Sequence, residues 1–172
     1  IGTMTIFHEN SSENLQILLH AGFGTMNCYR YLVEDLKKLD ISTVAGIAIK
    51  NTEEYCKLES NHVIERLADE YVDLIIGLKK KKIQIIGYCV SGLIAVEIAR
   101  RLKEKGIQVY DLTLVDSHPI HYKLQDDLLL EMMFLPSLGI SMTQLDLEPI
   151  TEQEFYAAVL YLYRRFNKKR CC

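Results

Sequence analysis

Two hydrophobic patterns take turns along the first two thirds of the chain: short unbroken apolar runs, and longer stretches with an apolar residue every three or four positions. Unbroken runs suit strands buried on both faces, and the 3.6-residue spacing suits amphipathic helices. Residues 15–20 read as a short buried strand, 21–25 (Ala-Gly-Phe-Gly-Thr) as a tight loop, and 27–39 as a helix with Leu32, Leu36 and Leu39 on one face. Residues 43–49 give the next strand. The helix after it, 61–78, carries Ile64, Leu67, Ala68, Tyr71, Leu74, Ile75 and Leu78 at helical spacing. Residues 83–86 form a third strand interrupted by Gln84, 91–105 a third helix closed by Gly106, and 109–115 a fourth strand.

Strict alternation of apolar strands with helices predicts an α/β fold, a mostly parallel sheet with helices on both faces. Ligands in such sheets bind beyond the carboxyl ends of the strands. The pattern changes after Asp116, where Pro119, Pro136, Pro149 and the cluster Met132-Met133-Phe134-Leu135 break it and 151–166 reads as one more helix. We expect 118–166 to be a helical insertion that acts as a lid over the strand ends, excluding water and shaping an acyl-binding cleft.

The chain has 172 residues, 49% of them hydrophobic and 25% charged, enough for one compact core and short for two full domains. One domain over 1–172 is expected. With 20 Lys and Arg against 23 Asp and Glu, the net charge of -3 provides no cationic field for nucleic acid. No apolar run approaches the roughly 20 residues of a membrane helix. The five cysteines are an odd set without a CxxC pair, which argues against a disulfide framework and a structural zinc site, and points to a reducing cytoplasm. No secretory leader is visible at the start, and a segment before Ile1 is expected to be missing.

The stretch with the clearest chemistry is 83–93, a strand that passes through Gly87-Tyr88-Cys89-Val90-Ser91 directly into a helix. A nucleophile elbow has this form: a sharp turn exposes the central side chain, and the following helix points its first amides at a developing oxyanion. The common pattern is Gly-x-Ser-x-Gly. Here Cys89 holds the nucleophile position and Ser91 replaces the last glycine. A helix N-terminus favours a thiolate, which suits such a nucleophile. The plainer alternative for Cys89 is a buried apolar cysteine, and Ser91 is expected to cap or to permit close packing rather than to attack.

Asp116 follows the fourth strand, at the sheet's carboxyl edge, where an acid can orient a histidine base; the alternative is an Asp that caps the next segment. His20-Ala21-Gly22-Phe23-Gly24 follows the first strand, and its backbone could supply a second oxyanion amide or form a plain tight turn. His20 is expected to fix this loop rather than to act as a base. His118 and His121, beside Pro119, are weak candidates for the base, or for a metal site with Asp116. The run Lys79–Lys82 reads first as a solvated connection, and less readily as a contact for an acidic carrier or a phosphate.

Together these elements resemble the thioesterase domains that end nonribosomal peptide and polyketide synthases, members of the α/β-hydrolase superfamily. The resemblance rests on Leu18-Leu19-His20-Ala21-Gly22-Phe23-Gly24 with Tyr29-Arg30-Tyr31-Leu32, on Gly87-Tyr88-Cys89 through Leu93-Ile94-Ala95-Val96-Glu97-Ile98-Ala99, and on Val115-Asp116-Ser117. It implies that Cys89 takes the acyl or peptidyl group from the phosphopantetheine arm of a carrier protein and that Asp116 orients the base. It also implies that the amides of Val90 and Gly22 hold the oxyanion, that 118–166 is the lid, and that no cofactor or metal is bound.

Family members usually carry serine as nucleophile. A cysteine keeps the acyl group activated as a thioester, which suits transfer or ring closure as well as hydrolysis. The family's histidine lies well over a hundred residues after the nucleophile, whereas 83 residues follow Cys89, so the domain is expected to be truncated and nearly inactive alone. A non-catalytic module that binds a carrier or an acyl chain is the alternative. Nucleotide binding is a weaker one, because Gly22-x-Gly24 opens a helix but Asn27 stands where a dinucleotide fingerprint needs glycine.

Overall fold

The computed structural model describes residues 1–22 and 24–117. The expected lid, 118–166, lies outside the described residues, as do His118 and His121. The described chain forms strands β1 (Gly2–His8), β2 (Asn14–Leu19), β3 (Thr43–Ile49), β4 (Lys82–Tyr88) and β5 (Gln108–Val115). Its helices are α1 (Arg30–Leu39), α2 (Thr52–Cys56), α3 (Val63–Gly77) and α4 (Ser91–Glu104). The strands make one sheet in the order β1-β3-β2-β4-β5, in which β1 is antiparallel to β3 and every other pair is parallel.

β2 is covered on both faces, which is why its apolar run is unbroken. Leu15, Ile17 and Leu19 point to one side and join Ala45, Ile47, Ile83 and Ile85 against Leu67, Ala68, Tyr71 and Ile75 of α3 and Ile94, Ala95, Ile98 and Leu102 of α4. Leu18 points to the other side and packs with Val44 and Ile86 against Tyr29, Val33 and Leu36. Each fully buried Leu or Ile in these clusters contributes about 2 kcal/mol of transfer free energy.

Gln84, the interruption in the β4 run, has a structural reason. It pairs in register with Gln16 of β2. Ser42 Oγ donates to Gln16 Oε1 (2.7 Å), Gln16 Nε2 to Gln84 Oε1 (2.7 Å), and Gln84 Nε2 to Asp111 Oδ2 (2.6 Å). This chain of donors satisfies the buried Gln16 amide and the half-buried Gln84 amide across the sheet.

Three expectations need correction. Strands and helices do not alternate strictly, because β1 precedes β2 directly and pairs antiparallel with β3. β1 is an edge strand with no fully buried residue, so it shows no continuous apolar run. α2 was also not visible: it is a short helix capped by the Asn51 side chain, which accepts from the Glu54 amide (3.1 Å), and it buries nothing. The face of α1 differs as well. A 3₁₀ turn, Asn27–Tyr29, sets the helix phase so that Tyr29, Val33 and Leu36 face the sheet, while Leu32 and Leu39 are exposed. Among the described residues no helix is long and apolar enough to cross a membrane.

Candidate active site

β2 and β4 are neighbours, with Leu19 opposite Gly87, and the chain leaves them for helices on opposite faces of the sheet. A crevice opens outside the carboxyl ends of strands at such a switch point. The loop after β2 and the turn after β4 therefore lie side by side at this edge.

After Tyr88 a single left-handed residue, Cys89 with φ 58°, reverses the chain, and Val90 (φ -60°, ψ -32°) already lies in helical space as the N-cap of α4. A non-glycine residue in this region is held there only by its surroundings, at a cost of about 1–2 kcal/mol. The surroundings here are dense. A Cβ on Gly87 would lie 2.7 Å from both the Gly92 Cα and the Ser91 carbonyl oxygen, so only glycine lets the strand end approach the helix start. Ser91 is fully buried: its hydroxyl accepts from the Tyr88 amide (3.0 Å) and donates towards the Tyr88 carbonyl (2.9 Å), with the Leu19 carbonyl at 3.3 Å. It acts as a staple under the turn, as the replacement of a packing glycine suggests. Cys89 itself is half-buried, not enclosed in the apolar core.

The acid turn follows the neighbouring strand. Asp116 is exposed and also left-handed, with φ 49°. The Cys89 amide donates to the Val115 carbonyl (2.9 Å), and Ser117 Oγ donates to the Cys89 carbonyl (2.8 Å). The two turns expected to hold nucleophile and acid are thus joined by one backbone bond and one side-chain bond. The Tyr88 phenol is pushed up by burial first and then by the neighbouring Asp116 carboxylate.

The loop after β2 is fixed at several points. The Gly24 amide closes a turn onto the Ala21 carbonyl (2.8 Å), which places Gly22 at its apex, and the Ile49 amide donates to the Gly24 carbonyl (2.8 Å). Gly24 has φ 77°, and a Cβ there would lie 2.6 Å from Ile49. His20 is completely buried. Its Nδ1 donates to the Ala21 carbonyl (2.8 Å), so Nε2 is the acceptor for the Tyr71 hydroxyl (2.8 Å). Burial lowers the pKa of His20, which keeps the ring neutral in this tautomer. Both nitrogens are occupied in holding the loop to α3.

Tyr29 is part of the family resemblance, but the sequence assigns it no role in the site. Its hydroxyl is buried beside the elbow and pushed up by desolvation; Ser91 and the Tyr88 backbone lie close, yet it closes no hydrogen bond among the described residues. Ser117, Gly92 and Tyr71 were also missed as site residues, and Tyr71 was read only as part of an apolar face. Lys79–Lys81 precede β4 and Lys82 begins it, so the run sits at the opposite edge of the sheet, about 20 Å from Cys89 at the usual rise per residue. Lys80 donates to the Asn10 and Ser12 carbonyls (both 2.7 Å), and Lys81 pairs with Glu13.

A mostly parallel sheet, flanking helices and a strand-to-helix turn at its carboxyl edge define the α/β-hydrolase class. Within it, the thioesterase domain family matches residues 17–157, and this chain belongs to that family. Pyochelin synthetase PchF of Pseudomonas aeruginosa (strain UCBPP-PA14) is 30% identical over 125 residues, which are 73% of this chain and 7% of the synthetase. The chain spans less than a tenth of that relative's length. The fold matches the NocB thioesterase domain, solved as a covalent complex with a fluorophosphonate nocardicin G analog, with a TM-score of 0.64 at 21% identity over 81% of this chain and 60% of that one. It also matches YbtT, a type II thioesterase from the yersiniabactin NRPS/PKS pathway, with a TM-score of 0.55 at 14% identity over 87% and 59%. The chain is a thioesterase domain related to those of nonribosomal peptide synthetases, a hydrolase by family.

Proposed function

We propose that this domain accepts an acyl or peptidyl chain from the phosphopantetheine arm of a carrier protein onto Cys89 and then releases it to water or to a nucleophile within the chain itself. The Cys89 thiolate adds to the thioester carbonyl. The carbon–sulfur bond to pantetheine then breaks, and the pantetheine sulfur leaves with the proton that the Cys89 thiol gave up. The amides of Val90 and Gly22 hold the oxyanion between these events. A histidine oriented by Asp116 carries the proton.

The observation that supports this reading most is the left-handed backbone of Cys89, in a one-residue reversal whose amide and carbonyl are both bonded to the acid turn. The test is labelling by an acyl-pantetheine thioester, followed by peptide mapping, in a Cys171→Ser, Cys172→Ser background. Cys28 and Cys56 are more exposed than Cys89, and burial pushes the Cys28 thiol up. Exposure alone would label Cys28 and Cys56 first. The proposal expects Cys89 first, by at least about tenfold in rate. Labelling in the order of exposure would favour the binding-module alternative.

A further inference from the structure

We infer that Ser117 is a positioning residue for acyl transfer: by holding the Cys89 carbonyl, its hydroxyl aims the Val90 amide, which belongs to the same peptide unit. The inference rests on the roles proposed above for Cys89 and Val90.

The β4–β5 register runs from Lys82↔Gln108 to Tyr88↔Val115, and the next pair in step is Cys89 with Asp116. In a parallel ladder a residue donates its N–H to the carbonyl before its partner and accepts from the N–H after it. Cys89 makes the first of these bonds, to the Val115 carbonyl (2.9 Å). At Asp116 the chain turns left-handed, and the Ser117 side chain supplies the second bond in place of an amide, Oγ to the Cys89 carbonyl at 2.8 Å. One extra rung is thereby built beyond the end of the sheet, and it sets the nucleophile and acid positions opposite each other.

Gly92 is part of the device. Its amide also donates to the Cys89 carbonyl (3.1 Å), and a Cβ on it would overlap the Ser117 hydroxyl. A side chain at 92 would push Ser117 out of reach. The Cys89 carbonyl is therefore gripped from the helix and from the acid turn. The peptide is planar and trans, so the carbonyl of Cys89 and the N–H of Val90 point in opposite directions and turn together. Fixing the first fixes the second, and an oxyanion donor contributes only when it is aimed before charge develops.

The test separates two reactions at the same sulfur. Thioester exchange passes through an oxyanion. Alkylation by iodoacetamide does not, since sulfur displaces iodide at a saturated carbon. Ser117→Ala is expected to lower the second-order rate of Cys89 acylation by an acyl-pantetheine thioester about tenfold while leaving alkylation within about twofold. Ser117→Thr, which keeps the hydroxyl, is expected to restore acylation. Gly92→Ala is expected to reproduce the selective loss with Ser117 in place. If Ser117→Ala does not fold, Ser117→Cys, with its weak donor, takes its place. Unchanged acylation, an equal fall in both reactions, or a Ser117→Thr variant as slow as Ser117→Ala would overturn the inference and leave the Cys89 reading standing. An unsubstituted chain that is not acylated at Cys89 would overturn both.

Discussion

The two edges of the sheet both use left-handed residues, and they use them for different ends. At the amino edge Asp40 (φ 46°) ends α1, Lys79 (φ 54°) follows the end of α3 and Gly106 (φ 74°) follows the end of α4. These positions are exposed, and the conformation is an ordinary way to stop a helix. At the carboxyl edge Cys89 and Asp116 come directly after strands, where there is no helix to stop. There the conformation is imposed by neighbours: Gly87 and Gly92 lack side chains, Ser91 bonds three ways beneath the turn, and Ser117 reaches across from the next strand. Similar backbone strain serves as punctuation at one edge and as presentation of a side chain at the other.

The largest effect that could break this comparison comes from adding one methyl group at each edge. Gly87→Ala meets backbone atoms 2.7 Å away that have no room to give, and is expected to destabilise the fold by about 3 kcal/mol or more and to abolish acylation. Gly106→Ala meets nothing within 4 Å and carries only the backbone penalty, about 1 kcal/mol. Urea midpoints of the two variants decide the matter. Equal shifts would mean that the carboxyl edge is no tighter than the amino edge.

How much of this was legible beforehand follows from what leaves a periodic trace. β3 was read with its observed bounds, and β2, β4, β5, α3 and α4 to within a few residues, because each buries a continuous run or a stripe. β1 and α2 bury little and left no such trace. The α1 face was misread by about a sixth of a turn, since the 3₁₀ turn before it, which no hydrophobic spacing reveals, decides the phase. The turn positions of Cys89 and Gly22 could be placed because small residues between a strand and a helix mark sharp turns, and that of Asp116 because the apolar run of β5 ends just before it. The bonds that hold those turns could not. Ser117 to the Cys89 carbonyl, Ser91 to Tyr88 and Tyr71 to His20 are contacts between a side chain and a distant segment, and their only trace in the chain is a single polar letter.

Protonation separates the edges next, with a smaller effect. Burial holds the His20 pKa below its ordinary 6.5, so the unfolded chain binds the proton more readily than the folded one. Stability tied to His20 is then complete above pH 6.5 and is lost as pH falls below it, by at most about 1.4 kcal/mol per pH unit, until the folded-state pKa is reached. At the amino edge, hydrogen bonds from His8 and then Asn10 hold the Asp40 carboxyl below its ordinary 3.8. Its contribution is present above that value and is lost only in stronger acid. Urea denaturation between pH 4.5 and 7.5 should therefore show a slope that His20→Gln removes and Asp40→Asn does not. A slope that survives His20→Gln would shift the titration away from the loop.

The smallest effect compares the strain itself. Glycine at a left-handed position removes the Cβ clash of about 1–2 kcal/mol and restores part of that as extra freedom in the unfolded chain, for a net gain of about 0.5–1 kcal/mol. Lys79→Gly should show this gain with acylation unchanged, because Lys79 lies at the far edge from Cys89. Cys89→Gly should show a similar gain while eliminating acylation at that position. Melting temperatures of the two variants, read beside thioester labelling, test whether the elbow stores any strain beyond the common left-handed cost. A gain at 89 clearly larger than at 79 would mean that the grip of Ser117 and Gly92 holds Cys89 further from its relaxed geometry than a helix stop requires. A loss at 89 would mean that the half-buried thiol contributes packing that outweighs the relief. Equal gains would place the difference between the edges wholly in what surrounds the left-handed residue.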